Sequence, residues 1–211
     1  MNYNIVASGS DANCTILNDE LVIEMGTSFK KIQQYVMKFK LVLLTHAHTD
    51  HFKKPTIIRL AMLRPMLRFG CPAWLHNELL DCDIDPHNID VYSMDSIYTY
   101  KGYKVSPFRL SHDVPNCGYK IQFSNGERVI YATDTNSIDV EAKDYDLYLI
   151  EANYEDEEIR QRIIDKQSRS EYAYEYNVLK NHLSLKKCND WLYKNMGSQS
   201  QYIYMHQHTR E

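Results

Sequence analysis

The hydrophobic and polar positions of the chain change period several times, and each change marks an element. Residues 3–8, 13–18 and 21–25 are short, mostly apolar runs separated by polar turns, one of which is Asn18-Asp19-Glu20. Runs of this length, bounded by Asn, Asp and Ser, predict a meander of strands. In "SFKKIQQYVMKF" the residues Phe29, Ile32, Val36 and Phe39 recur at helical spacing behind Ser28, which predicts a helix with a serine N-cap. The apolar run Leu41–Leu44 predicts the next strand. "PTIIRLAMLRPMLRF" predicts a helix that opens on Pro55 and is interrupted at Pro65, and "PAWLH" predicts another buried strand.

Further along, "YTYKGYKVSPFRL" and "YKIQFSNGERVIYATD" each predict two strands around a turn, and Asn125-Gly126 is a strong two-residue hairpin signal. A strand in "DLYLIEANYED" gives way to helices near Glu155–Lys166 and over "LSLKKCNDWLYKNM", before a last strand, "YIYMH". Strands clustered early and centrally, with helices interspersed, predict an α+β fold whose sheets are covered by helices. No internal repeat, low-complexity tract or Gly/Ser linker interrupts the 211 residues, so a single domain spanning 1–211 is expected.

Composition narrows the classes. With 44% hydrophobic and 25% charged residues the chain has the make-up of an ordinary globular protein, which excludes disorder and fibrous repeats. The net charge of −4 leaves no overall basic field to gather phosphate backbones nonspecifically. Five cysteines, Cys14, Cys71, Cys82, Cys117 and Cys188, lie far apart without C-x-x-C spacing, so reduced thiols are expected rather than a disulfide framework or a thiolate zinc site. The opening "MNYNIVASGS" lacks the charged and apolar regions of a signal peptide, and no stretch approaches the ~18 apolar residues of a membrane span, so a cytoplasmic protein is expected.

The candidate chemistry lies where strands stop. In "LVLLTHAHTDHFKK" an apolar run ends in His46, His48, Asp50 and His51. The same placement recurs at His112 after "FRLS", Asp134 after "RVIYAT" and His206 after "YIYM". Seven imidazole and carboxylate donors suit two first-row ions held close together, with one carboxylate and a water or hydroxide between them. Zinc is the first expectation and manganese the second.

The run His46-Ala47-His48-Thr49-Asp50-His51 stands as H-x-H-x-D-H. It is followed in order by His112, Asp134 and His206, and preceded by an acid, Glu24, at an early strand end. In these features the chain resembles the metallo-β-lactamase superfamily over nearly its whole length. "SGSDANC", "SFKKIQ", "LIEANYED" and "NHLSLKKC" are similar to segments of the small bacterial YycJ (WalJ) type within it, considered DNA exonucleases. The resemblance implies an αβ/βα sandwich of two mixed β-sheets packed together, with helices on both outer faces. It also implies His46, His48 and His112 on one metal, Asp50, His51 and His206 on the other, and Asp134 as the bridge. Asp50 is counted among the catalytic groups as well. Glu24 stands outside the ligand set as an acceptor that orients a ligand histidine.

His182 in "NHLS" is separate from the strand ends. Phosphodiester hydrolases of the superfamily place a similar His-x-Ser segment beside the metals, which implies a general acid at His182 and a helix cap or phosphate contact at Ser184. His208 competes with His206 for the last ligand position and is assigned to the surface or to a supporting role. His76 and His87 have no partners at strand ends and are expected to be structural or exposed. The tyrosines of "EYAYEY" alternate like one face of a strand or line a loop, and aromatic packing is their ordinary explanation.

The function implied is hydrolysis of phosphodiester bonds by a metal-bridging hydroxide, in a nuclease or cyclic-nucleotide phosphodiesterase. A thioester or lactam hydrolase of the same fold uses the same metal ligands, but the His-x-Ser segment weighs against it. A regulatory protein that keeps the fold would generally have lost ligands. The chain has no room for an inserted cap domain and no Gly-rich basic arm, so folded tRNA is not an expected substrate. The expected partners are a nucleic acid or nucleotide, with a homodimer allowed for and no membrane.

Overall fold

The structure is a computed structural model, and it describes residues 1–207. The chain divides into two compact units, Met1–Tyr98 and a second from Thr99 onward.

The first unit is built on a six-stranded sheet formed by β1 (Tyr3–Ala7), β2 (Cys14–Leu17), β3 (Leu21–Ile23), β4 (Leu41–Leu43), β5 (Arg68–Pro72) and β6 (Ile89–Tyr92), ordered as in the chain. Its first three strands are antiparallel, as the short polar turns require, and β3 to β6 run parallel. Parallel neighbours need crossovers. These carry α1 (Phe29–Ile32), α2 (Lys54–Leu63) and α3 (His76–Leu80). The apolar faces of these segments meet the sheet in a core that includes Ile32, Val36, Phe39, Val42, Ile57 and Leu60.

Two expectations are corrected in this unit. The helix predicted over "SFKKIQQYVMKF" is only one α-helical turn, followed by a 3₁₀ turn at Val36–Lys38, and Ser28 makes no side-chain cap. Its apolar residues nevertheless bury as predicted; the chain reaches that burial with two short turns because Phe39 must already be extended to enter β4. The segment "PAWLH" is a strand only at Pro72. Ala73–Leu75 turn as 3₁₀ and His76 opens α3, so that Trp74 Nε1 donates to the Thr45 carbonyl at 3.0 Å. The Pro55 opening and the stop before Pro65 are found in α2.

The second sheet is formed by β7 (Tyr98–Tyr100), β8 (Tyr103–Leu110), β9 (Asn116–Phe123), β10 (Arg128–Ala132), β11 (Leu147–Glu151) and β12 (Gln201–Met205), in the order β12-β11-β10-β9-β8-β7. The hairpin from β9 to β10 turns at Asn125-Gly126, where Gly126 takes a φ of 93° that a side chain would resist. Strands β8, β9 and β10 are antiparallel, whereas β10, β11 and β12 are parallel. It follows that β8, β10, β11 and β12 all point the same way and end on one edge.

Three helices complete the unit: α4 (Asp156–Ser168), α5 (Glu175–Asn181) and α6 (Leu185–Asn195). Cys188 and Leu192 of α6 pack with Ile130, Tyr148 and Ile150 of the sheet. The tyrosines of "EYAYEY" are not on a strand; they belong to the approach to α5 and its first turn, with Tyr172 and Tyr176 exposed. Among the described residues no helix is long and apolar enough to cross a membrane. All five cysteines are buried free thiols.

Candidate metal centre

In the first unit, β4 delivers the H-x-H-x-D-H segment as a loop, and its neighbours fix that loop's path. Met25 and His51 are tied by an N–H···O bond of 2.9 Å, and Lys53 N–H returns to the Met25 carbonyl at 3.0 Å. Gly26 lies so close that a Cβ there would stand 1.5 Å from the Asp50 carbonyl oxygen, so only glycine permits this approach. The rings of His46 and His51 stand 4.2 Å apart and those of His46 and His48 4.8 Å apart.

Glu24, completely buried beyond the end of β3, accepts the Thr45 hydroxyl and lies 3.3 Å from Nδ1 of His51. A buried carboxylate on Nδ1 places the proton there and turns Nε2 into the donor atom, the usual arrangement behind a metal-binding histidine. Asn13 supports the other side of the same ring: its Nδ2 lies 2.9 Å from His51 Nε2 and 3.2 Å from Asp50 Oδ2. Ligand atoms of Glu24, His46 and His51 lie within 4.8 Å of one another.

In the second unit the common edge of β8, β10, β11 and β12 collects the remaining candidates. His112 follows β8, Asp134 follows β10, Glu151 ends β11 and His206 follows β12. Asp134 and His206 both adopt left-handed backbone, with φ of 56° and 50°, which turns each side chain off its strand. Asn116 holds the turn at Asp134, donating to the carbonyls of Thr133 and Asp134 at 3.0 and 2.8 Å.

Asp134 Oδ1 is the centre of this group, 3.5 Å from His206 Nε2, 3.7 Å from His182 Nδ1 and 3.9 Å from His112 Nε2. His112 Nδ1 faces the Asn181 carbonyl at 3.1 Å, so Nε2 is again the outward donor. Burial holds the His112 pKa below the ordinary histidine value, against the opposing charges of Asp134 and Asp113. The lowered pKa favours the neutral imidazole, the form that ligates a metal.

His182, separate in the sequence, is brought into the cluster. It closes α5, its ring is stacked on His206 at 5.3 Å, and its Nδ1 lies 2.6 Å from Glu151 Oε1. Burial alone would lower its pKa, but the hydrogen bond and charge of Glu151, with help from Asp134, raise it above the ordinary value. Ser184 takes the cap role, its fully buried hydroxyl accepting from Lys187 N–H at the start of α6.

Glu151 is a member of this cluster that the sequence pattern does not single out. It is completely buried, its Oε2 accepts the backbone N–H groups of Thr135 and Leu183, and its Oε1 lies 3.4 Å from His206 Nδ1 as well as against His182. The signal was present, since "DLYLIE" is another apolar run that stops at an acid. His208 lies outside the described residues. His87 is exposed, as expected, beside Asp85.

Asp134, Glu151, His182 and His206 present ligand atoms within 4.8 Å of one another. Within this group Asp134 and His206, with His112 Nε2 on the other side of Asp134 Oδ1, are carboxylate and imidazole donors of the kind that divalent first-row ions accept, so these residues fit a metal, while His182 is engaged by Glu151.

A family model described as the β-lactamase superfamily domain matches residues 26–206. The chain belongs to this superfamily. Within it the chain is similar to the exodeoxyribonuclease YycJ of Bacillus anthracis, with 22% identity over 174 residues, covering 76% of this chain and 66% of the relative. The match thus spans a little under two thirds of that relative's length. Among solved structures, the short form of human tRNase Z superposes with a TM-score of 0.76 at 13% identity, over 100% of this chain and 93% of that one. The metallo-β-lactamase fold protein YhfI of Bacillus subtilis gives 0.74 at 16% identity, over 99% and 86%. At these identities the structural likeness shows the fold, and it is the metallo-β-lactamase-like α+β fold expected.

Proposed function

We propose that this superfamily member is a divalent-metal-dependent hydrolase of phosphodiester bonds, acting on a nucleic acid or nucleotide. The observation that carries the reading is the group of Asp134, Glu151, His182 and His206, in which a protonatable histidine from the end of α5 stands among ligand-type residues at strand ends. The similarity to an exodeoxyribonuclease and the likeness to a tRNase Z structure agree with that chemistry.

In this reading His46, His48 and His112 would hold one ion and Asp50, His51 and His206 a second, with Asp134 shared between them, and zinc is placed ahead of manganese. Divalent ions held there would supply Lewis acidity toward the phosphoryl group and acidify water. The protein's own contribution is positional and protonic. Glu24 holds His51 through Nδ1, the Asn181 carbonyl holds His112, and Glu151 orients His182. His182 gives a proton from its ring to the leaving oxygen, and Glu151 stabilises the imidazolium beforehand. A single domain and a cytoplasmic location complete the proposal.

The test is a substrate panel. The purified protein should hydrolyse bis(p-nitrophenyl) phosphate and at least one of single-stranded DNA, double-stranded DNA, RNA or a cyclic nucleotide, and chelator should abolish all of it. Faster turnover of S-lactoylglutathione or nitrocefin than of any phosphodiester would replace this reading with a thioester or lactam hydrolase.

A further inference from the structure

Beside His206 the second unit has a cleft that the metal-type residues leave unused. Its volume is about 220 Å³, and its walls include Asn153, Tyr154, Ile159, Arg162, Leu185 and Gln207. Asn153 joins it to the cluster, donating from Nδ2 to the His206 carbonyl at 2.9 Å. That volume is below the ~300–1,000 Å³ of sites for drug-sized ligands, so the cleft suits one small ring system rather than a length of polymer.

A recess of about 20 Å³ shares Asn153, Tyr154, Ile159 and Arg162 with this cleft and adds Glu175 to the lining. Glu175 is 1% exposed. Lys166 pairs with its Oε1 at 2.7 Å, whereas Oε2 is buried and receives no hydrogen bond. A buried carboxylate oxygen without a donor is costly, and a recess that holds about one water-sized group admits a donor no larger than an amine.

We infer that the cleft is a nucleobase pocket, in which the exocyclic amine of cytosine, adenine or guanine enters the recess and donates to Glu175 Oε2. The ring then lies in the larger cleft beside Tyr154 and Arg162, both side chains on which bases stack, and the amide of Gln207 offers a donor and an acceptor to its remaining edge. Uracil and thymine carry a carbonyl oxygen where cytosine carries its amine, which sets lone pair against lone pair at Oε2. The carboxylates of Glu155 and Glu158 also line the cleft, so the phosphate stays outside it. The class of ligand rests on the phosphodiester reading above; the discrimination between bases rests on Glu175.

Deoxycytidine and deoxyuridine separate the two ideas because neither carries a phosphate and they differ at the C4 amine. Calorimetric or NMR titration of the purified protein should show deoxycytidine binding about 10- to 100-fold more tightly, the range set by leaving a buried charged acceptor unpaired. N4,N4-dimethyldeoxycytidine, which keeps the ring but has no N–H to donate, should bind as poorly as deoxyuridine. Glu175→Gln should remove most of the preference, and Arg162→Ala should weaken both nucleosides while keeping it. Equal affinity for deoxycytidine and deoxyuridine, or saturation by neither at millimolar concentration, would overturn the inference whether or not the Gln variant folds. Failure to cleave any phosphodiester would instead overturn the catalytic reading and leave these titrations unaffected.

Discussion

Nδ1 of His182 lies 2.6 Å from Oε1 of Glu151, and the second oxygen of that carboxylate is held by the N–H groups of Thr135 and Leu183. An acceptor anchored to the backbone on one side fixes the ring on the other, so Nδ1 carries its proton toward Glu151 and Nε2 is the atom left to work. If Nε2 protonates the leaving oxygen, His182→Ala keeps its metals and loses about 10²- to 10⁴-fold in rate on nucleotide esters, whose alkoxide departs badly unprotonated. Nitrophenyl esters should lose far less, because nitrophenolate leaves without that proton. Glu151→Gln should show the same selectivity in milder form. Equal losses on both ester types with unchanged metal content would make His182 a substrate-positioning residue.

Metal content tests the ligand assignment separately from catalysis. Protein purified without chelator and saturated with zinc or manganese should carry close to two ions per chain by elemental analysis, since seven donors exceed what one tetrahedral ion takes. His206→Ala should lose metal and damage hydrolysis of both ester types alike. Asp134→Ala should lower occupancy at both positions, because Asp134 Oδ1 stands within 3.9 Å of His112, His182 and His206. A wild-type stoichiometry of one or less would refute the two-ion arrangement.

The ligand-type residues were legible because each ends an apolar run, and a strand end is where a rigid element hands a side chain to a common edge. Glu151 was passed over because its carboxylate sits inside "LIEANYED", where an acid before a helical segment looks like solvated charge; only the register of β11 beside β10 and β12 shows that it is buried. His182 was legible as chemistry but not as a neighbour of His206, since their approach depends on the turn between α5 and α6. Strand β6 and helix α5 went unpredicted. The first is four residues paired through β5, and the second is a seven-residue helix opened by a tyrosine-rich segment whose spacing imitates a strand. "PAWLH" reads as a strand and turns instead, because a short apolar run has no period of its own.

Gly26 supplies a stability prediction tied to the metal loop. A Cβ at this position would meet the Asp50 carbonyl oxygen at 1.5 Å and its carbon at 2.1 Å, both backbone atoms that cannot rotate away. Gly26→Ala must therefore displace the loop carrying Asp50 and His51. Overpacking of this kind costs about 1–3 kcal/mol, so the denaturant midpoint should fall and metal affinity should fall with it. A variant with an unchanged midpoint and full metal content would show that the two segments separate freely.

Lys166 and Glu175 give the chain a pH-dependent contact with a definite sign. Burial pushes the Glu175 carboxyl up, but hydrogen bonds from Lys166 and from its own backbone N–H, with the charges of Lys166 and Arg162, outweigh burial and leave the pKa below the ordinary carboxylate value. A carboxyl lowered on folding stabilises fully above its unfolded pKa, about 4.3 for glutamate, and that contribution is lost as pH falls through the lower folded value. Lys166→Met should therefore open its largest gap from the wild type at neutral pH, read as the urea midpoint, and the gap should shrink as the medium is acidified past that range. It should not close altogether, because Lys166 Nζ also stands 3.9 Å from the centroid of the Tyr174 ring, a cation–π contact that does not depend on the carboxyl. A gap that stays constant from neutral to acid pH would assign the whole effect to the lysine's packing and its contact with Tyr174, and none to the charge on Glu175.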